Sequence, residues 1–189
     1  CKEEAPLLVA FFGLYVALVE RDWRSGAEIF LASFAVFWLL LTQVIPFFKS
    51  GATYTYVARY GYLGNSVAEI AGNLLAHPGQ TLGLLFAPGN HHYLLKLFEA
   101  VFFLPLLAPS SLLLGVPTLV QNLLVSPDFP AHRSFSYHYS APLVATMVVA
   151  AIYGAARLRR RAPAVTGWMA RQRGLLVPLL FLYWINAMG

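Results

Sequence analysis

Charge is scarce in this chain: only 11% of its 189 residues are Asp, Glu, Lys or Arg, against about 25% in an ordinary soluble domain. Hydrophobic residues make up 59%, aromatics 15%, and the mean hydropathy is +0.64. A domain of this size cannot bury so much apolar surface, which excludes a soluble globule. Cysteine is nearly absent. With Cys1 alone there is no internal disulfide and no cysteine-based metal site, and the redox compartment is not readable from it. G-x-S-x-G, Walker A, dinucleotide-fingerprint and H-E-x-x-H motifs are all missing, which removes the chemistries they flag. A signal peptide is excluded at the start, where Glu3 and Glu4 stand in place of a basic region. The formal charge of +5 does not signal nucleic acid, because the basic residues punctuate apolar runs rather than cover a polar surface.

Long apolar runs are what the chain does have. A transmembrane helix needs about 20 apolar residues, with about 17 as a working minimum. Runs of that order cover about 5–19, 29–48, 94–108, 111–125, 141–156 and 174–189. The tract 94–125 contains Pro105, Pro109 and Pro117 and a turn-like Ala108-Pro109-Ser110-Ser111, so it reads as a hairpin of two short helices rather than one long helix. In 141–156, Ala150, Ala151, Gly154 and Ala155 supply small residues at four-residue spacing, which permits close helix approach in lipid. The fold class is therefore all-α: a single polytopic transmembrane bundle, 1–189, with about five or six spans. Starting without methionine just before one apolar run and stopping at Gly189 inside another, the chain reads as a fragment of a longer protein.

Basic residues fix the expected orientation, since short cytoplasmic loops are rich in Lys and Arg. Arg157, Arg159, Arg160, Arg161, Arg171 and Arg173 crowd the stretch between the last two runs, and Arg21 and Arg24 lie in an expected loop 20–27. Placing both inside leaves 49–93 and 126–140 outside, and requires the tract 94–125 to cross twice or re-enter. Within the outer segment 49–93, Ser66-Val67-Ala68-Glu69 has capping-box spacing, followed by Ile70, Ala71, Leu74 and Leu75 at helical intervals up to His77-Pro78-Gly79. The spacing predicts a short amphipathic helix, with a second apolar turn over 81–86, lying on the outer membrane surface or packed over the ends of the spans.

All five histidines (His77, His91, His92, His132 and His138) fall on the expected outer side, with Arg59, Arg133 and a run of tyrosines at 54, 56, 60 and 62. Two readings stand side by side. The first is an interfacial belt of tyrosines with histidines in wet loops. The second is a polar, aromatic-lined pocket in which Arg and His meet phosphate and Tyr rings face a sugar or lipid head group. No metal site is expected, because His91 and His92 point apart and no carboxylate stands at ligand spacing. Glu99 follows Lys96 by three residues, a spacing that predicts an ion pair; a carboxylate in an apolar run can instead mark an ion path.

Three motifs, in order, carry a resemblance. Lys2-Glu3-Glu4-Ala5-Pro6 leads into an apolar run with Gly13-Leu14-Tyr15; Arg59-Tyr60-Gly61-Tyr62-Leu63-Gly64 follows; Tyr137-His138-Tyr139-Ser140-Ala141-Pro142 precedes a later run. Together they resemble the bacterial and archaeal membrane-protein family known as domain of unknown function 2079. Glu4 departs from the family's usual Lys-Glu-Asp but keeps the charge. That family is in turn distantly similar to GT-C glycosyltransferases, multi-span enzymes that take a sugar from a polyprenyl-phosphate carrier at the outer face of the plasma membrane. The resemblance implies that Lys2 neutralises the carrier phosphate with Glu3 or Glu4 orienting it, that Arg59 and His138 contact phosphate or sugar, and that Tyr60 and Tyr62 wall the pocket. It implies a catalytic carboxylate in an outer loop upstream of this chain, so no catalytic residue is assigned here. No cofactor is expected of the chain itself, and a divalent metal beside that upstream loop stays open. The bilayer and a polyprenyl-phosphate sugar are the expected partners, and nucleic acid is not.

Two other classes remain in view. A transporter or channel subunit is suggested by Glu99 and the proline-broken tract, although no inverted repeat accompanies them. A non-catalytic membrane assembly protein is compatible with the same composition.

Overall fold

The computed structural model describes residues 4–48, 55–135, 138–172, 178–180 and 182–183, and every regular element among the described residues is helical. The chain opens with α1 (Ala5–Leu18), a helix carrying a proline in its first turn and apolar on all sides. A tight turn follows, with Arg21 at φ 61°, and α2 (Trp23–Leu39) starts from Asp22, whose carboxylate accepts from Ser25 N at 3.1 Å. The loop expected over 20–27 is therefore mostly helix. An aspartate N-cap and the i,i+4 pair of Arg24 with Glu28 favour helix where polarity alone suggested a loop.

α2 runs on through a π turn, Leu40–Val44, into α3 (Ile45–Phe48). Pro46 explains the widening. In α geometry its ring would press on the carbonyl of Thr42, and the longer bond from Ile45 N to Leu40 O relieves that conflict. The whole helix, Trp23–Phe48, has 26 residues, about 39 Å at 1.5 Å per residue.

α1 and α2 form an antiparallel hairpin closed by small residues. A Cβ on Gly13 would lie 2.6 Å from Phe30 N, and one on Gly26 would lie 2.5 Å from Ala17 N, so the two backbones touch where only glycine fits. Ala10 and Ala17 are buried in the same seam.

The outer segment contains a 3-10 turn (Thr55–Tyr60), α4 (Val67–Ala76) and α5 (Pro78–Leu85). The capping signal acts as the spacing predicts: Ser66 Oγ accepts from Glu69 N at 3.1 Å, and Glu69 Oε2 reaches back to Asn65 N at 2.9 Å. Pro78 then starts α5 three residues earlier than the expected 81–86 turn, being suited to a first helical position.

The apolar tract departs most from expectation. Its first helix, α6 (Pro88–Glu99), begins at Pro88 instead of after it, so Asn90, His91 and His92 are helical. It ends at Glu99 because Phe102 and Phe103 both take left-handed φ (53° and 55°), and Phe103 N bonds back to Phe98 O at 2.9 Å. A 3-10 turn (Leu104–Leu107), α7 (Pro109–Leu112), a second 3-10 turn (Leu113–Gly115) and α8 (Val116–Leu124) complete the tract. A proline in the first turn of three of these pieces suits its start and stops the preceding piece from running on. The tract does turn back on itself. Leu104 abuts Gly154 and Arg157 Nη1 donates to Leu107 O at 2.9 Å, whereas Gly115 has returned to the level of Leu143 and Thr146. Glu99 makes no ion pair with Lys96; its carboxylate accepts from Tyr183 Oη at 2.5 Å.

Two 3-10 turns (Pro130–Arg133 and His138–Ser140) lead into α9 (Ala141–Arg161), which absorbs Arg157 and Arg159 to Arg161 into its last turns, where cations complement the helix dipole. α10 (Pro163–Arg171) follows. The last expected run, 174–189, lies largely outside the described residues. The compact part of the molecule gathers Tyr93 and Leu97 of α6, Leu123 of α8, and Leu143 and Met147 of α9.

Two helices, Trp23–Phe48 and His138–Arg161, are long and apolar enough to cross a membrane, yet only 6% and 28% of their most apolar windows are buried. Core helices of soluble proteins hide such surfaces; here Leu31, Trp38, Phe47, Phe48 and Ile152 face outward. That exposure suits lipid and not water.

Candidate functional site

The site is organised by the end of α8. The last four carbonyls of a helix have no partner within it, and three of those of α8 are met by side chains from other segments. Tyr60 Oη donates to Gln121 O (3.2 Å), Asn90 Nδ2 to Leu123 O (3.1 Å), Tyr62 Oη to Leu124 O (2.8 Å), and Arg133 Nη2 to the next carbonyl, Val125 O (2.8 Å). Ser126 N also donates to Arg59 O at 2.9 Å. The Arg59-Tyr60-Gly61-Tyr62 motif is thus a clamp on the end of α8, and its two tyrosines hold Arg59 in place.

Asn90, only 1% exposed, ties the clamp together. Its amide donates to Leu84 O, Leu85 O and Leu123 O, and its Oδ1 accepts from Arg133 Nη1 at 2.8 Å. Beside it, Tyr93 Oη shares a hydrogen bond with Ser140 Oγ and accepts one from Asn122 Nδ2, each at 3.0 Å. Arg133 is consumed by this framework; Arg59 is directed elsewhere.

Arg59 Nη1 donates to His132 Nε2 at 2.5 Å, Nη2 donates to Tyr139 Oη at 3.4 Å, and the guanidinium lies over the Tyr139 ring at 5.3 Å and the Phe129 ring at 5.9 Å. The His132 ring stacks on Tyr139 at 3.8 Å, and the exposed His138 also lies against that tyrosine, at 4.3 Å. Arg59, His132 and Tyr139 line a polar pocket of about 360 Å³ with Asp128, Ser134 and Phe129, and His138 stands outside that lining. Asp128 accepts from Ser126 Oγ at 2.8 Å on the rim.

His132 also borders a second cavity, apolar and about 300 Å³, between α1, α2, α4 and α8. Leu7, Phe37, Leu41, Ile70, Leu74 and Leu124 are among its walls, with Glu4 and Tyr60 at the polar end. The π turn of α2 contributes here, since the residues just before and within it, Phe37 and Leu41, face the cavity. The apolar cavity and the cationic, aromatic pocket thus share His132 as a wall.

The electrostatics follow from this enclosure. Burial, and then the positive charges of Arg59, Arg133 and His138, push the His132 imidazole down to about 4. Burial, and then the nearby Glu4, push the Tyr60 phenol well up, so it stays a donor. His132 is therefore neutral, with Nε2 free to accept from Arg59. Because the unfolded imidazole would protonate near 6.5, the unfolded chain binds more protons than the folded one between pH 6.5 and 4. Stability is full above pH 6.5 and falls as pH drops towards 4, by up to about 3 kcal/mol. Thermal unfolding across this range should show the slope in wild type and lose it in His132→Gln; an equal slope in the variant would assign it to other groups.

Of the residues singled out in the sequence, Arg59, Tyr60 and His138 come together here, and Glu4 joins them at the groove. Tyr62 clamps α8 and is half exposed, lining neither cavity. Lys2 and Glu3 lie outside the described residues. The histidines do not form one cluster, since His77, His91 and His92 are exposed on other elements. Among the described residues no three His, Cys, Asp or Glu side chains gather at metal-binding distance. His132 and Tyr139 are the functional side chains that sequence reasoning left off the shortlist, although the first stood in the histidine set and the second in the motif around His138.

Helices with outward-facing apolar surfaces and a polar cluster at one end define an all-helical membrane protein. The chain belongs to the family described as "Predicted membrane protein (DUF2079)", whose sequence profile matches residues 1–187. No curated protein and no solved structure matches it, so the wider kinship with GT-C enzymes gains no match of its own.

Proposed function

We propose that this chain is the donor-binding part of a GT-C-like glycosyltransferase that takes a sugar from a polyprenyl-phosphate carrier at the outer face of the prokaryotic plasma membrane. The observation that carries this reading is the junction of the two cavities. A groove walled by Leu7, Phe37 and Leu41 suits an isoprenoid chain, and beyond their shared wall His132 stands Arg59, where that chain's phosphate would lie. Arg59 binds the phosphate, Phe129 offers a ring face to a sugar, and the rim carboxylate of Asp128 accepts from a sugar hydroxyl. Lys2 adds charge at the same end with Glu3 or Glu4 orienting it, His138 contacts the head group, and Tyr60 walls the groove. The catalytic carboxylate is supplied from outside this chain.

In this reading 1–189 is one multi-pass transmembrane domain with the arginines of 157–173 on the cytoplasmic side. The returning tract supports that topology, since it meets α9 at Arg157 and rejoins the Arg59 cluster at its other end. A transport role is favoured by one observation, the proline-broken tract bearing Glu99 beside Tyr183.

The test is transfer of labelled sugar from polyprenyl-phosphate donors by the full-length protein in membranes. Arg59→Ala should lower transfer by at least about tenfold at unchanged expression, the value of a lost charge-assisted hydrogen bond. Lys2→Ala and His138→Ala should lower it less. Undiminished transfer in Arg59→Ala would remove the phosphate from this pocket, and absence of transfer from every donor would remove the transferase.

A further inference from the structure

Among the described residues, His132 is the one that borders both cavities and touches Arg59. Resting on the lipid-phosphate reading above, we infer that His132 is a further head-group residue, and that the anion enters the pocket together with a proton taken up by this imidazole.

The geometry sets up the coupling. Among the described residues, the ionisable groups around His132 come from several elements. Arg59 reaches it from the 3-10 turn Thr55–Tyr60, with Tyr60 on the same turn. Arg133 is its neighbour on its own turn, and His138 and Tyr139 approach from the next. Glu4 stands across the apolar cavity and Asp128 on the polar rim. Without a ligand, two guanidiniums and a second histidine surround a buried imidazole, which holds it neutral and hydrogen-bonded to Arg59. A phosphate anion beside Arg59 reverses the local field. The guanidinium turns its N–H groups to the phosphate oxygens, Nε2 loses its donor, and a proton at that nitrogen then donates to the anion. Phosphate binding raises the proton affinity of His132 and, by linkage, protonation tightens phosphate binding by the same factor. If the anion restores the ordinary imidazole value, affinity rises on the order of tenfold from pH 7 to pH 5.

The probe must not titrate in that window. Farnesyl methyl phosphate, an isoprenoid phosphodiester with one fixed charge, serves; farnesol is the uncharged control. Binding to the purified full-length protein in nanodiscs is measured by calorimetry at pH 7, 6 and 5, in buffers of different ionisation enthalpy. The expected result is affinity for the phosphodiester that climbs about tenfold to pH 5, with buffer-dependent heat at pH 6 reporting proton uptake, and pH-independent binding by His132→Gln. Farnesol should show no such climb. Phosphodiester binding with no pH dependence and no buffer-dependent heat in wild type overturns the role of His132 and leaves the lipid-phosphate site standing. No phosphodiester binding at any pH, or equal binding by Arg59→Ala, overturns the lipid-phosphate site itself. The buffer dependence is read on wild type, so the outcome is decided even if His132→Gln fails to fold.

Discussion

Replacing Gly154 with valine is expected to cost at least about 3 kcal/mol of stability, enough to lose most of the folded protein. The reason is local. A Cβ at this position of α9 would overlap the carbonyl of Leu104, which belongs to the backbone of the 3-10 turn at the bottom of the returning tract. Backbone cannot swing aside as a side chain can, so α9 and the tract must separate, carrying Arg157 away from Leu107. Gly72 offers the opposite case on the exposed α4, where a Cβ would meet nothing within 4 Å. Gly72→Ala should gain roughly 0.5–1 kcal/mol from helix propensity. Thermal unfolding of both variants in detergent measures the contrast, and a Gly154→Val protein as stable as wild type would mean that the contact with Leu104 is not maintained.

Asn90→Ala is the second large effect, expected at about 3–5 kcal/mol. One amide, itself 1% exposed, bonds to three carbonyls and one guanidinium N–H. Its removal leaves four polar groups short of a partner, and Arg133, released on one side, no longer fixes the turn that carries His132. The variant should lose stability and phosphodiester binding together, whereas Arg59→Ala should lose binding with little change in melting temperature. A loss below about 1 kcal/mol for Asn90→Ala would mean that water replaces the amide.

Much of the helical content was legible in the chain. Apolar runs announce α1, α2 and α9, and Ser66 with Glu69 announces α4, because these signals depend on residues within a turn or two of each other. What failed was longer-ranged or depended on context. Pro88-Gly89-Asn90 has the composition of a break, but proline fits a first helical turn and Asn90 spends its side chain on carbonyls up to 33 residues away. Phe102 and Phe103 carry no sequence sign of left-handed backbone; stacking of Phe103 on Phe98 and contact of Phe102 with Tyr183 hold them there. The site divides in the same way. Arg59 and His138 stand in short motifs that draw the eye. His132 and Tyr139 lie in irregular chain without a period of two or 3.6, so nothing in their spacing reveals that their rings stack, or that Arg59, 73 residues earlier, donates to His132.

The glycine seam between α1 and α2 also bears on how the protein is made. Its contacts are all local in sequence, and α2 packs chiefly on α1. The pair can zip shut as soon as Phe48 has emerged from the ribosome, before Arg59, His132 and Tyr139 of the polar pocket have been translated. The hairpin would then be a finished wall waiting for the rest. A substitution at Gly26 should therefore act early, as failed insertion and proteolytic clearance of the nascent chain, whereas one at Gly154 should let the chain insert and fail only when the last long helix docks.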